Sequence, residues 1–356
     1  EQPPINHMLF CISGIEYLIG KKRLRSNMLD TDLQALYAIQ DAYYNATPAC
    51  PAYKPGRSIV TSLYKKEIPG AYVFFTELNR LGCNLPIEVF YREGELDALE
   101  IGEFKSTWPK NLNFYQIQST AKNFVDRWGN TKGWSTKVYA VVESGYQENL
   151  WLDIDNIPIC NPAFLFDDGE YQSKGSLFWR DLYSIDRADQ YCRNSDMWKI
   201  FRVPYNDAEP FETGQILLNK PKVWQQLYML LCFSDNLETY YQFGGDAECW
   251  RMAWQHCAVR NQQYHAENNY HASDHVPYGF MPYGPFHKGV PNPWHKYGGG
   301  TVMVQRDRKG KELFNHRTIN KFNWKDNPFN DDVENEAMYH MAIHHLKTKY
   351  GQTGAQ

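Results

Sequence analysis

Two carboxylates stand two positions apart near the middle of the chain, at Asp153 and Asp155, directly after the apolar run Leu150–Leu152. In an extended strand, side chains two positions apart lie on one face. At the carboxyl end of a parallel strand, such a pair faces the crevice where open α/β sheets bind ligands. Two carboxylates there suit Mg²⁺ or Mn²⁺, with phosphate oxygens and water completing the coordination. The pattern predicts a metal site, and an acidic loop after a strand is the plain alternative.

The elements around this pair alternate between strand and helix. A β-rich run at Ser58–Tyr64 is followed by Pro69-Gly70, then by a helix at Ala71–Leu81 and a second strand at Ile87–Tyr91. This alternation at short spacing is typical of a sheet of parallel strands wound with helices. We therefore expect a single α/β domain in which Asp153 and Asp155 follow one of the strands.

The rest of the chain continues the same pattern and divides it into three parts. Apolar periodicity predicts further helices at Thr31–Tyr44, Lys137–Ser144 (a helix or a buried run), Lys222–Phe233, Glu248–Cys257 and Asn335–Lys349. Further strands are predicted at Leu150–Asp153, Gly175–Trp179, Thr213–Leu218 and Thr301–Gln305. Residues 264–300 are rich in Gly, Pro, His and Tyr and are predicted to form a long functional loop. The predicted parts are a helical extension at 1–55, the α/β domain at 56–322 and a helical tail at 323–356.

Composition excludes several classes of function. The chain has 356 residues, with 37 Lys+Arg against 41 Asp+Glu, which argues against a general polyanion binder. The sequence contains no apolar run long enough to span a membrane. It also opens without Met, so an upstream anchor or leader could have been removed. Eight cysteines without a CxxC pair weaken zinc-ribbon and thioredoxin interpretations. The 25 Tyr, 19 Phe and 11 Trp provide rings for packing or for stacking on sugars and bases.

The stretch from Leu150 through Asn156-Ile157-Pro158 resembles the metal-binding segment of GT-A glycosyltransferases, which use nucleotide-sugar donors. Over residues 56–322 the chain resembles one family, the α-mannosyltransferases related to the fungal Golgi mannan-branching enzymes. The segments that carry this resemblance are Ser58–Tyr91, Lys137–Pro162, Ala163–Asp181, Glu212–Trp254 and Met303–Lys321. The resemblance implies a GT-A fold, a Rossmann-like mixed sheet flanked by helices, with the N-terminal helical extension outside it.

The resemblance also implies roles for individual residues. Asp153, Asp155 and His316 would hold the metal ion. Asp246, Glu248 and Glu212 would be the catalytic residues, with Asp246 preferred as the carboxylate at the reaction centre and Glu248 second. The donor would be bound by Thr61, Tyr64, Lys137, Asp153, Gly214, Gln215, Gly245 and Arg317, with Lys137 on a phosphate. A plain alternative for Gly244-Gly245-Asp246 is a turn before a helix with Asp246 as its N-cap.

The expected activity is a metal-dependent transfer of a hexose from a nucleotide sugar to a hydroxyl of a glycan or glycoprotein acceptor. By the resemblance, the hexose is mannose, its configuration is retained, the donor is GDP-mannose and the ion is Mn²⁺ or Mg²⁺. A UDP-sugar donor of the glucosyl, galactosyl or xylosyl type is the alternative, because Arg306-Asp307 stands where the family generally has His-Asp. No nucleic-acid partner is expected. The aromatic residues crowded into 264–300, an aromatic-rich stretch, are predicted to offer stacking faces to the acceptor sugar. The resemblance implies a type II membrane protein of the Golgi lumen, and the cytoplasm is the alternative.

Two alternatives lie outside this class. A carbohydrate-binding protein could have kept the fold and lost turnover, although intact Asp153, Asp155, Asp246 and His316 argue against it. A nucleotidyltransferase would share the acidic pair but needs a Gly-rich basic loop after the first strand. Here the corresponding stretch, Thr61–Gly70, contains Lys65 and Lys66 but only one glycine, Gly70.

Overall fold

The structure, a computed structural model, describes most of the chain. The described residues are 30–108, 111–117, 124–125, 131–182, 195–206, 208–235, 246–261, 277–291, 300–318, 321–322 and 333–350. Gly245, predicted to bind the donor, and its neighbour Gly244 lie outside them. So do Tyr264, Tyr270, Trp294 and Tyr297 of the aromatic-rich stretch.

Within these residues a seven-stranded sheet has the order β10-β8-β9-β6-β1-β2-β3. Its strands are β1 (Lys54–Ser62), β2 (Ile87–Tyr91), β3 (Leu112–Gln116), β6 (Tyr146–Leu152), β8 (Ser176–Arg180), β9 (Phe211–Asn219) and β10 (Gly279–Phe280). Strands β6, β1, β2 and β3 run parallel, whereas β9 is antiparallel to both of its neighbours, β6 and β8. The predicted mixed α/β sheet is therefore confirmed.

A smaller antiparallel sheet has the order β11-β12-β13-β7. Its strands are β7 (Asn156–Pro158), β11 (Phe286–Pro291), β12 (Gly300–Arg306) and β13 (Glu312–His316). Part of the stretch predicted as a long loop, 264–300, is therefore strand, because β10 and β11 lie within it. A separate pair joins β4 (Phe124–Val125) to β5 (Thr131–Lys132). Register pairing sets the last residue of β13, His316, opposite Asn156.

The predicted helices are confirmed to within a few residues. The described helices are α1 (Asp30–Asn45), α2 (Ile68–Arg80), α3 (Ala98–Thr107), α4 (Ser135–Glu143), α5 (Gly169–Lys174), α6 (Met197–Phe201), α7 (Trp224–Ser234), α8 (Ala247–Arg260) and α9 (Val333–Tyr350). Short 3₁₀ turns lie at Lys65–Glu67 and Pro162–Asp167. Among these helices none has the length and apolar content needed to cross a membrane.

Alternating side chains of the central strands enter two separate hydrophobic clusters. In β1, Val60 enters one cluster and its neighbour Ile59 enters the other; in β6, Trp151 and Leu150 divide in the same way. Because the side chains of a strand alternate between its two faces, both faces of the sheet are covered. Helices α1, α4, α7 and α8 contribute to the first cluster, and α2 and α9 to the second.

The terminal helices are packed onto this framework. Helix α1 buries Leu36 and Tyr43 in the first cluster, and α9 buries Tyr339 and Leu346 in the second. The N-terminal helix of the fold prediction is therefore present. The three-part division at residues 55 and 322 stays a prediction, and the packing shows that neither terminal helix stands apart from the sheet.

Candidate active site

Strand β6 ends at Leu152, and the chain turns at once into β7, which begins at Asn156. The backbone N–H of Asn156 donates to the carbonyl of Asp153 at 2.9 Å and closes the turn. The prediction that Asp153 and Asp155 share a strand face is therefore wrong in its geometry, because both lie in the turn after the strand. Their convergence is real: ligand atoms of Asp153, Asp155 and His316 lie within 4.8 Å of one another.

His316 reaches this turn from a distant part of the chain. It is paired with Asn156 across the small sheet, and its ring approaches Gly214 in β9. A Cβ atom at position 214 would lie 2.5 Å from His316 Cε1 and 2.6 Å from Nδ1. Real Cβ atoms essentially never come so close, so glycine is required here for the imidazole to fit. Gly214, predicted to bind the donor, thus makes room for the imidazole of His316, the predicted third metal ligand.

The imidazole of His316 lies between two carboxylates. Its Nε2 is 3.4 Å from Asp155 Oδ1, and its Nδ1 is 3.3 Å from Glu212 Oε1. Burial alone would lower the pKa of His316, but Glu212 and Asp155 raise it to about 10. For Glu212 the directions are reversed: burial would raise its pKa, but the His316 imidazolium lowers it below its usual value. Because a metal binds neutral imidazole, binding would release the His316 proton.

Lys321 is a member of this cluster to which the sequence assigned no role. Its ammonium forms an ion pair with Asp155 Oδ2, while half of the Lys321 side chain stays exposed. Burial would raise the pKa of Asp155, but Lys321 and His316 together hold it well below its usual range. The sequence did offer one indication, because Lys321 is the last residue of the segment that resembles the family and contains His316.

Two further groups on the turn after β1 face the same charges. Tyr64 is 41% exposed. Burial of its hydroxyl and the nearby Glu67 carboxylate raise the pKa of Tyr64. Burial, followed by repulsion from Asp155, raises the pKa of Glu67 well above its usual value. Glu67, like Lys321, was not predicted as a site residue. The partly exposed Tyr64 ring beside these charges suits stacking on a planar base.

Lys137 joins the metal-site turn to the predicted reaction-centre carboxylate. Its Nζ lies 3.1 Å from Asp153 Oδ1 and 3.0 Å from Asp246 Oδ2, and it donates to the carbonyl of Thr213 at 2.8 Å. Burial would lower the pKa of Lys137, but Asp153 and Asp246 raise it. The contacts of this buried ammonium are thus to carboxylates and to the carbonyl and hydroxyl of Thr213. Its predicted phosphate contact stays a prediction.

Asp246 and Glu248 differ in what they contact. Asp246 occupies the N-cap position of α8, but its side chain makes no capping hydrogen bond within the described residues and instead pairs with Lys137. Glu248 is buried in the same helix, where its Oε2 accepts from Arg251 Nη2 at 2.7 Å and Nε at 3.0 Å. The geometry thus favours Asp246 as the reactive carboxylate, and a catalytic role of Glu248 stays a prediction.

The remaining predicted donor residues lie around the same edge of the sheet. Gln215 is buried in β9, and its Oε1 accepts from Asn156 Nδ2 at 2.6 Å. The backbone N–H of Arg317 donates to the carbonyl of Asp155 at 2.9 Å. The hydroxyl of Thr61 is buried without a hydrogen-bond partner in the described part of the chain. Gln215 and Arg317 thus brace the turn that holds Asp153 and Asp155.

The aromatic-rich stretch before the last strands has a mixed role. Tyr278 is buried, with its ring 4.7 Å from that of Phe211, so it belongs to the core. Tyr283 is 42% exposed, and its ring lies 5.2 Å from the guanidinium of Arg306. Of the described rings, Tyr283 therefore fits the predicted stacking surface, whereas Tyr278 does not.

Comparison with known proteins identifies relatives for this arrangement. Residues 56–202 match the family model described as "Mannosyltransferase putative". The α-1,2-mannosyltransferase MNN21 of Candida albicans is 30% identical over 252 residues, which is 63% of this chain and 37% of that protein. The chain is related to fungal α-mannosyltransferases. A second such relative, the α-1,2-mannosyltransferase MNN2 of Saccharomyces cerevisiae, is 22% identical over 64% of this chain and 46% of its own length.

Among solved structures, the chain is similar to the mannosyltransferase Ktr4p from S. cerevisiae in complex with GDP. The likeness has 11% identity and a TM-score of 0.41 and covers 68% of this chain and 80% of that one. It is also similar to the galactosyltransferase LgtC in complex with donor and acceptor sugar analogues. Here the identity is 13% and the TM-score 0.41, over 55% and 69% of the two chains.

The relationship confirms the family resemblance that the sequence carries, and the chain has the mixed α/β architecture that the resemblance implies. The chain spans less than half the length of the two mannosyltransferase relatives described above. The segment that matches the family model contains Lys137, Asp153 and Asp155, whereas Asp246 and His316 lie beyond its C-terminal end. The contacts described above bring Asp246 and His316 to the residues of the matching segment.

Proposed function

We propose that this chain is a metal-dependent glycosyltransferase that moves a hexose from a nucleotide sugar to a glycan hydroxyl. The observation that carries the proposal is the convergence of Asp153, Asp155 and His316 within 4.8 Å, at the carboxyl edge of a parallel strand. An independent carboxylate, Asp246, is tied to this group through Lys137. A metal site beside a further carboxylate suits the departure of a diphosphate and the transfer of the sugar to an acceptor.

The three converging side chains fit a divalent cation by their chemistry. Carboxylate oxygens and an imidazole nitrogen suit Mn²⁺, and the carboxylates also suit Mg²⁺. Asp153, Asp155 and His316 would hold the ion, which when bound supplies positive charge to the departing diphosphate. The side chain of Lys321, half exposed beside Asp155, brings a second positive charge to the same leaving group.

On the sugar side, Asp246 is the proposed reactive carboxylate. A glycosyl group passes through an oxocarbenium-like state, which a nearby carboxylate stabilises. The same carboxylate can accept the proton of the attacking hydroxyl. Lys137 lies 3.0 Å from Asp246 Oδ2 in an ion pair, and this contact fixes the position of the carboxylate for either task. Retention of configuration is the outcome that the family resemblance implies.

Relatedness to α-mannosyltransferases favours mannose as the sugar and GDP-mannose as the donor. Tyr64 is the proposed stacking partner of the base, and Gly214 and Gln215 line the sugar. A UDP-sugar is the alternative donor, and the experiment below distinguishes it from GDP-mannose. For the whole protein, we propose a glycan or glycoprotein acceptor and a place in the Golgi lumen, both on the family resemblance.

A thermal-shift screen of nucleotide sugars, each with Mn²⁺, tests the proposal. A ligand present at a hundred times its dissociation constant stabilises the folded state by about 2.7 kcal/mol, which is readily measured. We expect stabilisation by GDP-mannose, and Mn²⁺-dependent donor hydrolysis or transfer that is lost in Asp153→Ala and Asp155→Ala. Stabilisation by a UDP-sugar and not by GDP-mannose would identify a UDP-sugar as the donor. Full activity of both variants in EDTA would overturn the metal-site assignment.

If nucleotide sugars bind but no turnover occurs with any glycan acceptor or with water, the chain is instead a binding protein on the same scaffold. Donor titrated into Asp246→Asn should bind with the affinity of the parent chain in either case. In an active enzyme the substitution also removes most turnover, so turnover is the property that separates the two functions.

A further inference from the structure

One carboxylate of the candidate metal site is held by an indole ring. Trp151 lies in β6, two residues before Asp153, and is only 1% exposed. Its Nε1–H donates to Asp153 Oδ1 at 2.8 Å. The ring belongs to the same buried cluster as Val138 of α4 and Ile216 of β9. Packing therefore fixes the direction in which this one polar atom of the indole points.

A second donor lies against both oxygens of the same carboxylate. Lys137 Nζ lies 3.1 Å from Asp153 Oδ1 and 3.3 Å from Oδ2. The same ammonium lies 5.6 Å from the centre of the Trp151 ring, so indole and ammonium are neighbours. A carboxylate oxygen has about two acceptor sites. The indole N–H occupies one acceptor site of Oδ1, and the ammonium donates to Oδ2, so the carboxylate keeps acceptor capacity for a further ligand.

We propose that Trp151 is a positioning residue that fixes the rotation of the Asp153 carboxylate, so that its ligand oxygen is held ready for the metal ion. The inference rests on the metal-dependent function proposed above. The terminal torsion of an aspartate is soft and nearly two-fold. Without the indole N–H, the carboxylate is held by Lys137 alone and can turn about this torsion, so its ligand oxygen is no longer fixed in one direction.

The consequence is measurable as metal affinity. Groups that orient a metal ligand by hydrogen bonding typically change affinity by about 10- to 100-fold when they are removed. Trp151→Phe keeps an aromatic ring in the core and removes the N–H donor. Trp254→Phe is a matched control, because Trp254 is equally buried and donates from Nε1 to Ser176 Oγ at 3.0 Å.

The experiment is calorimetric titration of Mn²⁺ into donor-free, metal-free protein, for the parent chain, Trp151→Phe, Trp254→Phe and Asp153→Ala. We expect Asp153→Ala to abolish binding, Trp151→Phe to weaken it about 10- to 100-fold, and Trp254→Phe to leave it within a factor of about two. Parent-like affinity of Trp151→Phe, with binding lost in Asp153→Ala, overturns the positioning role and leaves the proposed function standing.

Absence of Mn²⁺ binding by the parent chain overturns both the positioning role of Trp151 and the proposed metal-dependent function, because the metal site itself then fails. Should Trp151→Phe not fold, 3-benzothienylalanine at position 151 replaces the N–H by sulfur and keeps the shape of the bicyclic ring. The same loss of Mn²⁺ affinity is expected for it. An affinity equal to that of the parent chain would again overturn the inference.

Discussion

Gly214 and His316 fit together only because position 214 has no side chain. The two residues are about one hundred positions apart in the sequence, yet a Cβ atom at 214 would lie 2.5 Å from His316 Cε1. The imidazole therefore rests against the backbone of β9, and from there it reaches both Asp155 and Glu212. One glycine in this way controls where His316, the proposed third metal ligand, lies.

Gly214→Ala should displace His316 and thereby weaken Mn²⁺ binding by more than tenfold. Overpacking of this kind costs about 1–3 kcal/mol of unfolding free energy, so calorimetric titration is to be paired with thermal unfolding. Gly169→Ala is the matched control, because a Cβ atom there meets nothing within 4 Å. Unchanged Mn²⁺ affinity in Gly214→Ala would show that His316 is not a ligand in this position.

Lys321→Ala should change metal binding and turnover in opposite directions. Its ammonium occupies Asp155 Oδ2 in the donor-free protein, so its removal should tighten Mn²⁺ binding measured without donor. Turnover should fall on the order of 100-fold, because the departing diphosphate loses a positive charge. Lys321→Arg, which keeps that charge, should retain more turnover. A parallel loss of both properties in Lys321→Ala would mean that this lysine is structural.

Asp246→Asn and Glu248→Gln should separate catalysis from stability. Asp246→Asn is expected to lose most turnover and to keep donor affinity, because its carboxylate faces Lys137 in the site. Glu248→Gln breaks a buried ion pair with Arg251, which typically costs about 3–5 kcal/mol, so its unfolding midpoint in urea should fall. If instead Glu248→Gln is inactive and as stable as the parent chain, Glu248 becomes the reactive carboxylate.

The buried His256 should make the fold sensitive to acid. Burial lowers the pKa of His256 to about 4, and its Nδ1–H donates to the carbonyl of Phe201 at 2.7 Å. Between about pH 6.5 and pH 4 the unfolded chain binds a proton at this residue that the folded chain does not. Stability from this group is therefore complete above pH 6.5 and falls as the pH drops toward 4. The full loss is about 3 kcal/mol.

The test compares urea unfolding at pH 7 and pH 4.5 for the parent chain and His256→Asn, whose amide can replace the Nδ1–H donor. Other groups titrate in both proteins, so the difference between their two pH responses isolates His256. The variant should lose about 2–3 kcal/mol less than the parent chain between the two pH values. Equal losses would mean that His256 does not carry this effect.

Local sequence was sufficient for the elements and for half of the site. Apolar periodicity predicts α1, α2, α7, α8 and α9, and it places Asp153 and Asp155 after a buried strand. It misjudged two details for physical reasons. The turn that closes on Asp153 depends on the pairing of β7 with β13, and the strands inside 264–300 exist because they find partners in β8 and β12. Neither pairing is visible in a local window.

The mixed α/β class, the acidic pair and the resemblance that matched Asp246, Gly214 and His316 to a family are all readable from the order of residues. Which of these residues contact one another depends on how the chain folds. The fold set Lys137 between Asp153 and Asp246, paired Glu248 with Arg251, and brought Lys321 to Asp155. The reason is that hydrophobic spacing is a local property of the chain. The electrostatic partners of a buried charge are instead chosen by which strands meet at one edge of the sheet.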